Sequence, residues 1–222
     1  MVFISAVSIF LIPSCRKMET DSTSPIVDEK TVLYEGKEYH TVKIGSQTWL
    51  KENLNVGNML QVNENSGNNG VIEKYCYNND PANCAIYGGI YQWNEAMQYM
   101  ATPGAKGICP NGWHIPTKAE FETLSASENN DGNAIKAIGQ GEGNGAGTNT
   151  SGFSALLAGY RGFRGSGDSF FNNLGFNAGF WSSSEVDSTY ARYLCLTRYN
   201  KEIFLTYYSN KYSGYSVRCI KN

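Results

Sequence analysis

Histidine, charge and metal-binding motifs are scarce in this sequence. The chain has only two histidines, His40 and His114, and charged residues make up 17% of its 222 residues, with a formal net charge of -2. Proteins that hold nucleic acid need a basic field, which this composition does not supply, so we expect no nucleic-acid partner. Without a Cys-x-x-Cys pair or a histidine cluster, a zinc site is not expected either.

A catalytic constellation is also missing. Nucleophilic catalysis needs a nucleophile beside a base, and we interpret His114, the best-placed base, as a residue that hydrogen-bonds across the turn before a helix. Glycoside hydrolysis needs two facing carboxylates. We expect the available acids to be solvated surface residues instead: Glu95, Glu120, Glu185 and Asp187. The expectation is therefore that the protein is not an enzyme, with an enzyme acting on envelope polysaccharide as the alternative.

What the sequence does contain is an apolar run at its beginning. Residues 1–14 carry no charge and end in small residues before Cys15. The run is too short to span a bilayer and is typical of a signal peptide. Residues 12–15 resemble a lipobox, in which the cysteine is acylated. We therefore expect lipidation at Cys15, with a cleaved soluble signal as the alternative.

The next segment is polar and lacks apolar periodicity. Residues 15–30 are accordingly predicted to comprise the lipidated cysteine and a flexible tether, followed by one domain over residues 31–222. The predicted location is the bacterial cell envelope, at the outer membrane or cell surface. The predicted contact with the membrane is the lipid anchor.

Six cysteines behind an export signal predict disulfides, because an oxidising compartment lets them persist. Cys76 and Cys84 flank a strong turn signal, Asn-Asn-Asp-Pro, and are the first candidate pair. Cys109 and Cys219 are the second. The role of Cys195 and the connectivity as a whole stay open.

Periodicity and turn signals predict an early hairpin, two main helices and a late antiparallel sheet. The hairpin spans residues 31–44, and the helices span residues 90–100 and Thr117 to about Ser127, the second opened by a capping box of Thr117 and Glu120. A third, short helix is predicted at residues 133–138. Strands are predicted at residues 153–160, 179–183, 190–196, 203–207 and 216–220. This pattern indicates a loop-rich α+β domain whose ends lie side by side.

Six blocks of the sequence together resemble one known family. They are YHTVKIGSQTWLKENL (39–54), YGGIYQWNEAM (87–97), CPNGWHIPTKAEFETL (109–124), FSALLAGYRG (153–162), GFWSSSE (179–185) and SVRCIK (216–221). In this order they look like the Fibrobacter succinogenes major paralogous domain, a family typical of exported bacterial lipoproteins. More distantly, the last two blocks resemble C-type-lectin-like domains, including relatives of formylglycine-generating enzyme. The resemblance implies a C-type-lectin-like α+β fold with two main helices and a twisted antiparallel sheet.

The resemblance implies neither a metal nor a cofactor. The Glu-Pro-Asn, Gln-Pro-Asp and Trp-Asn-Asp tripeptides of calcium-dependent lectins are absent, and residues 128–132 lack EF-hand spacing. The copper-binding cysteine pair of formylglycine-generating enzymes has no counterpart. We expect no metal and no cofactor.

Aromatic residues carry the binding hypothesis. The candidate ligand-binding residues are Tyr160, Arg161, Arg164 and Trp181, in a region rich in aromatic, glycine and asparagine residues. Arg161 and Arg164 are expected to be exposed, whereas Trp181 has the alternative of packing in a core strand. Tyr207, Tyr208, Tyr212 and Tyr215 form a second candidate face. We predict a non-catalytic, lipid-anchored domain that binds a glycan or a protein, with a structural envelope subunit as a further alternative.

Overall fold

Strands dominate the part of the chain that the structure describes. The computed structural model describes Met1, residues 31–165 and residues 168–222. Apart from Met1, the predicted signal peptide lies outside the described residues, and so do Cys15 and the whole tether up to residue 30. No helix in the described ranges is long and apolar enough to cross a bilayer.

Fourteen strands and four α-helices make up the described fold. The strands are β1 (Thr31–Tyr34), β2 (Lys37–Ile44), β3 (Gln47–Leu50), β4 (Asn58–Leu60), β5 (Glu73–Tyr75), β6 (Tyr91–Gln92), β7 (Trp113–His114), β8 (Ala158–Phe163), β9 (Ser169–Leu174), β10 (Asn177–Glu185), β11 (Tyr190–Thr197), β12 (Tyr208–Asn210), β13 (Gly214–Tyr215) and β14 (Ile220–Lys221). The helices are α1 (Pro81–Tyr87), α2 (Trp93–Ala96), α3 (Lys118–Ser127) and α4 (Gly132–Ile135). Short 3₁₀ turns lie at Tyr77–Asn79 and Gly143–Gly145.

The predicted α+β class, with two main helices in a C-type-lectin-like arrangement, is wrong. Only α3 reaches 10 residues, and the helix predicted over residues 90–100 is reduced to the four residues of α2. Tyr91 and Gln92 are extended because they pair with β13. After α2, Gln98 and Tyr99 adopt positive φ angles of 49° and 61°, which a helix does not allow. Strand pairing thus overrides the helical spacing of the apolar residues.

The predicted capping box is confirmed at the start of α3. The Thr117 side chain accepts a hydrogen bond from the Glu120 backbone, and the Glu120 carboxylate accepts one from the Thr117 backbone at 2.8 Å. Phe121 and Leu124 then face the core. Helix α1 was not predicted, although Asp80 caps it and Pro81 occupies its first turn, which is a standard start signal.

The two ends of the domain share one sheet, as predicted. Its strand order is β1-β2-β3-β14-β7, and all neighbouring strands are antiparallel. The predicted hairpin is confirmed as β1 and β2, which turn at Glu35 and Gly36, both with positive φ. The C-terminal strand therefore lies inside the sheet that the N-terminal hairpin begins.

A second sheet forms the larger half of the fold. Its order is β12-β11-β10-β8-β13-β6, with β9 paired to β8. The central strand β10 is antiparallel to β11 and parallel to β8. The predicted strand over residues 203–207 is reduced to a single bridge between Phe204 and Cys195, whereas β9 was not predicted. A third sheet is the parallel pair β4-β5.

Both predicted disulfides are confirmed. Cys76 pairs with Cys84 across the start of α1, and Cys109 pairs with Cys219 just before β14. Cys195 is a free, buried thiol. The second bridge joins distant parts of the chain inside the cluster of buried residues that also contains Trp93 and Trp181.

Loss of the long-range disulfide is expected to cost more stability than loss of the local one. Their cysteines are separated by 110 and 8 residues. On the chain-entropy account, these loops correspond to about 5 and about 2.5 kcal/mol. In urea unfolding, we expect Cys109→Ala/Cys219→Ala to lose roughly 2 kcal/mol more than Cys76→Ala/Cys84→Ala.

The comparison is matched because all four cysteines are at most 3% exposed, so the two double variants remove sulfur from similarly buried positions. Equal losses in the free energy of unfolding would contradict the prediction.

Candidate functional site

A cleft lies over β8, β9, β10 and β11. It has a volume of about 340 Å³, within the range typical of small-molecule sites. We call it the tyrosine cleft, after the three tyrosines in its lining. The residues that line it are Gly159, Tyr160, Gly162, Phe163, Arg164, Phe170, Asn173, Asn177, Ala178, Gly179, Tyr193, Cys195, Ser209, Ser213 and Tyr215.

Two glycines let aromatic rings lie directly against the strands of the cleft. A Cβ atom at Gly162 would lie 2.4 Å from Cζ of Phe170, and one at Gly179 would lie 2.2 Å from Cδ1 of Tyr215. No other residue type fits these contacts without moving the rings. The glycines on β8 and β10 therefore place the aromatic walls.

The three tyrosines form a continuous row. The rings of Tyr193 and Tyr215 are stacked with centroids 4.4 Å apart, and Tyr160 stacks on Tyr215 at 5.7 Å. The rings of Trp181 and Tyr215 pack edge to face, with centroids 4.8 Å apart. Tyr160 and Tyr193 are half-buried, so the row has a core-facing side and a side that borders the cleft.

Several polar groups in the cleft have no protein partner. The Tyr160 hydroxyl, the side-chain amides of Asn173 and Asn177, and the Ser213 hydroxyl make no hydrogen bond to any described residue, although other polar groups nearby are paired. The described lining holds no aspartate, glutamate or histidine. The described lining thus offers neutral donors and acceptors and one cation, Arg164, beside aromatic rings.

Burial disfavours the charged forms of three titratable groups that line the cleft. Burial raises the pKa of Tyr193 and Tyr215. Burial also raises the pKa of Cys195 to about 12. Because the thiolate is the reactive form of cysteine, this thiol is not poised as a nucleophile.

The structure separates the four candidate ligand-binding residues. Tyr160 and Arg164 line the tyrosine cleft, and the Arg164 guanidinium lies 4.3 Å from the ring centre of Phe170. Arg161 and Trp181 are fully buried. The expected exposure of Arg161 is therefore wrong, because successive residues of β8 face opposite sides of the sheet.

Arg161 is instead a buried side chain that links separate segments of the backbone. It donates to the carbonyl oxygens of Val62, Glu64 and Tyr212 at 2.7 to 3.0 Å, and its guanidinium lies over the ring of Tyr75 at 4.3 Å. The Trp181 indole donates to the carbonyl oxygen of Tyr91 at 2.8 Å. Alternation along β8 could have indicated this burial, because it places Arg161 and Tyr160 on opposite sides of the sheet.

The second candidate face divides in the same way. Tyr207, Tyr208 and Tyr212 are exposed, whereas Tyr215 is 7% exposed and belongs to the tyrosine cleft. The exposed rings contact other aromatic residues, as in the stack of Tyr212 on Phe163.

The acids and His114 occupy structural positions. The expectation that Glu95 is solvated is wrong, because it is fully buried and accepts hydrogen bonds from the Tyr99 hydroxyl and the Glu73 backbone. Burial raises the pKa of Glu95. Glu185 pairs with Lys211. Within the described ranges, no group of three or more histidine, cysteine, aspartate or glutamate residues is arranged to hold a metal ion.

His114 hydrogen-bonds across the turn before α3, as expected. Its Nε2 lies 2.8 Å from Glu120 Oε1, and its Nδ1 lies 2.7 Å from Asn222 Oδ1. The hydrogen bond with Glu120 raises the pKa of His114, against the opposing effect of burial. Burial alone would raise the pKa of Glu120, but the hydrogen bonds from His114 and Thr117 outweigh it and lower that pKa.

Comparison with known proteins identifies a family. The family model described as Fibrobacter succinogenes major domain matches residues 42–221. No curated protein and no solved structure matches the chain. The matched range contains the whole tyrosine cleft and both disulfides.

The His114 pair predicts a pH dependence of stability. A raised folded-state pKa means that the stabilisation is fully present below the unfolded pKa of about 6.5 and is lost as the pH rises through the folded pKa. We therefore expect His114→Gln to lower the free energy of unfolding more at pH 5.5 than at pH 8.5, in urea titrations at both values. An effect of the variant that is the same at both pH values would contradict this assignment.

Proposed function

This chain belongs to the Fibrobacter succinogenes major domain family, and we propose that it is a non-catalytic domain that binds a glycan in the tyrosine cleft. The observation that carries the proposal is the combination of unpartnered neutral polar groups with aromatic rings in one concave site. Tyr160, Asn173 and Asn177 supply the polar groups. The family itself implies no ligand.

The chemistry of the lining matches that of a sugar. A sugar ring has apolar C–H faces, which pack on aromatic rings, and hydroxyl groups, which both donate and accept hydrogen bonds. Side-chain amides and tyrosine hydroxyls also do both. A bound sugar would satisfy the amides of Asn173 and Asn177 without bringing a charge into the site.

The shape of the site favours a small ligand over a protein surface. A specific protein interface typically buries about 800 Å² on each partner, whereas this cleft is a concave pocket of about 340 Å³. Small-ligand sites have this combination of aromatic walls and a few polar groups.

The lining also favours binding without turnover. Hydrolysis of a glycosidic bond uses two carboxyl groups that flank the bond, and the described lining of the tyrosine cleft contains none. His114 and Glu120 bond to each other at 2.8 Å outside the cleft.

We further propose that the domain is displayed at the bacterial cell envelope through a lipid on Cys15. The apolar residues 1–14 and the lipobox-like residues 12–15 support this assignment. The two disulfides agree with an oxidising compartment outside the cytoplasm.

Glycan binding is tested by substitutions that remove a hydrogen-bonding group but no protein contact. We expect the purified chain to bind a ligand on a broad array of bacterial and plant glycans, with and without calcium. By calorimetry with that ligand, Tyr160→Phe should weaken binding about fivefold, the loss of one hydrogen bond worth ~1 kcal/mol. Asn177→Ala should do the same, since its amide has no protein partner.

The matched control is Tyr199→Phe, which removes a hydroxyl from a ring that is 57% exposed and lies outside the cleft lining. The Tyr199→Phe variant should bind the same glycan with the affinity of the unchanged chain. No binding across the array, or equal affinities for the Tyr160, Asn177 and Tyr199 variants, would sink the proposal.

The lipid anchor is tested separately in bacteria. With a fatty-acid label, we expect the unchanged chain to be labelled and to sediment with membranes, and Cys15→Ala to lose both properties because the acylated thiol is gone. Cys195→Ala is the control, since it removes a buried free thiol and should keep the label. Labelling that survives Cys15→Ala would refute the anchor.

A further inference from the structure

A second cavity lies away from the tyrosine cleft and differs from it in charge. It has a volume of about 210 Å³ and shares no lining residue with the cleft. Three cations line it, Lys37, Lys51 and Arg218, together with one acid, Glu52. Its apolar wall consists of Ala85, Ile86, Ala137 and Leu156. We call it the basic cavity.

Arg218 places a buried positive charge behind the basic cavity. The residue is 1% exposed, and its described hydrogen bonds go to neutral acceptors, the carbonyl oxygens of Leu50 and Phe153 and Oδ1 of Asn53. Burial lowers the pKa of Arg218 to about 9, so the side chain is still protonated at neutral pH. The charge of Glu52 opposes this lowering of the pKa, and a buried charge interacts with an anion more strongly than a solvated one does.

The surrounding lysines add to the same field. Lys37 begins β2 and contributes to the cavity wall. The neighbouring Lys74 bonds to Oδ1 of Asn55 at 2.7 Å, and its pKa is lowered by burial and then by the charge of Lys37. Lys37 and Lys74 are thus close enough to repel each other.

One acid, Glu52, also lines the cavity and makes hydrogen bonds within the protein. Both carboxylate oxygens of Glu52 accept hydrogen bonds from His40, one from the backbone N–H and one shared with Nδ1, each at 2.8 Å. Besides Lys51, which has a partner of its own, the described lining carries Lys37 and Arg218 with this one acid.

We propose that the basic cavity binds a small organic anion, a carboxylate or a phosphate monoester that carries a short apolar body. The anionic group faces Lys37 and Arg218. The apolar body lies against Leu156 and Ile86, whose side chain is left 61% exposed. This site is independent of glycan binding in the tyrosine cleft.

The experiment compares three four-carbon probes by calorimetry on the purified chain. Butyrate and butyl phosphate carry the anionic group, whereas 1-butanol has the same apolar body without charge. We expect at least one of the two anions to bind and butanol not to bind, and the tighter anion identifies the head group. In about 1 M salt, where the Debye length is ~3 Å, the anion affinity should fall.

The variants locate the site. Lys37→Gln should weaken the binding of the anion about fivefold, since it removes one nearby charge. Lys43→Gln is the matched control, because Lys43 is an exposed lysine on the same strand and is not part of the lining. Failure of both anions to bind, equal binding of butanol, or equal losses in the two variants would overturn the proposal. A glycan signal in the tyrosine cleft would be unaffected by any of these results.

Discussion

Irregular backbone in the interior needs hydrogen-bond donors, and three buried cations supply them. Arg161, Arg218 and Lys136 are each at most 1% exposed. Their acceptors include the backbone carbonyl oxygens of Val62, Glu64 and Tyr212 for Arg161, of Leu50 and Phe153 for Arg218, and of Gly145, Thr197 and Asn200 for Lys136. Unpaired buried carbonyl groups and unpaired buried charges each cost free energy. Pairing them with each other gives both a hydrogen-bond partner.

Both cavities depend on these cations. Arg161 fixes Tyr212, whose neighbour Ser213 lines the tyrosine cleft, and it ties the segment around Val62 to β8. Arg218 joins the end of β3 to Phe153 and is one of the cations that line the basic cavity. Each arginine side chain thus links separate loop segments by hydrogen bonds to their carbonyl oxygens, as backbone hydrogen bonds link neighbouring strands. Arg161 faces away from the tyrosine cleft, whereas Arg218 lies in the lining of the basic cavity.

Local signals predicted correctly those elements that depend on near neighbours in the sequence. The capping box of Thr117 and Glu120 starts α3, and the hairpin of β1 and β2 follows from alternation around a glycine turn. The helix over residues 90–100 was wrong because Tyr91 and Gln92 pair with β13, more than 120 residues away. The apolar residues of that segment are still buried around Trp93, but the single turn of α2 is enough to bury them.

The sequence by itself determined the family, α3 and the region in which the tyrosine cleft lies, and it offered both cysteine pairs as candidates while leaving the connectivity open. These depend on ordered motifs, on cysteine positions and on local hydrogen bonding. Only the tertiary structure decided which aromatic and basic residues of that region face the cleft. Tyr160 and Arg161 are adjacent in β8 and have opposite roles, because the sides of a strand are equivalent until β9, β10 and β13 pack around it.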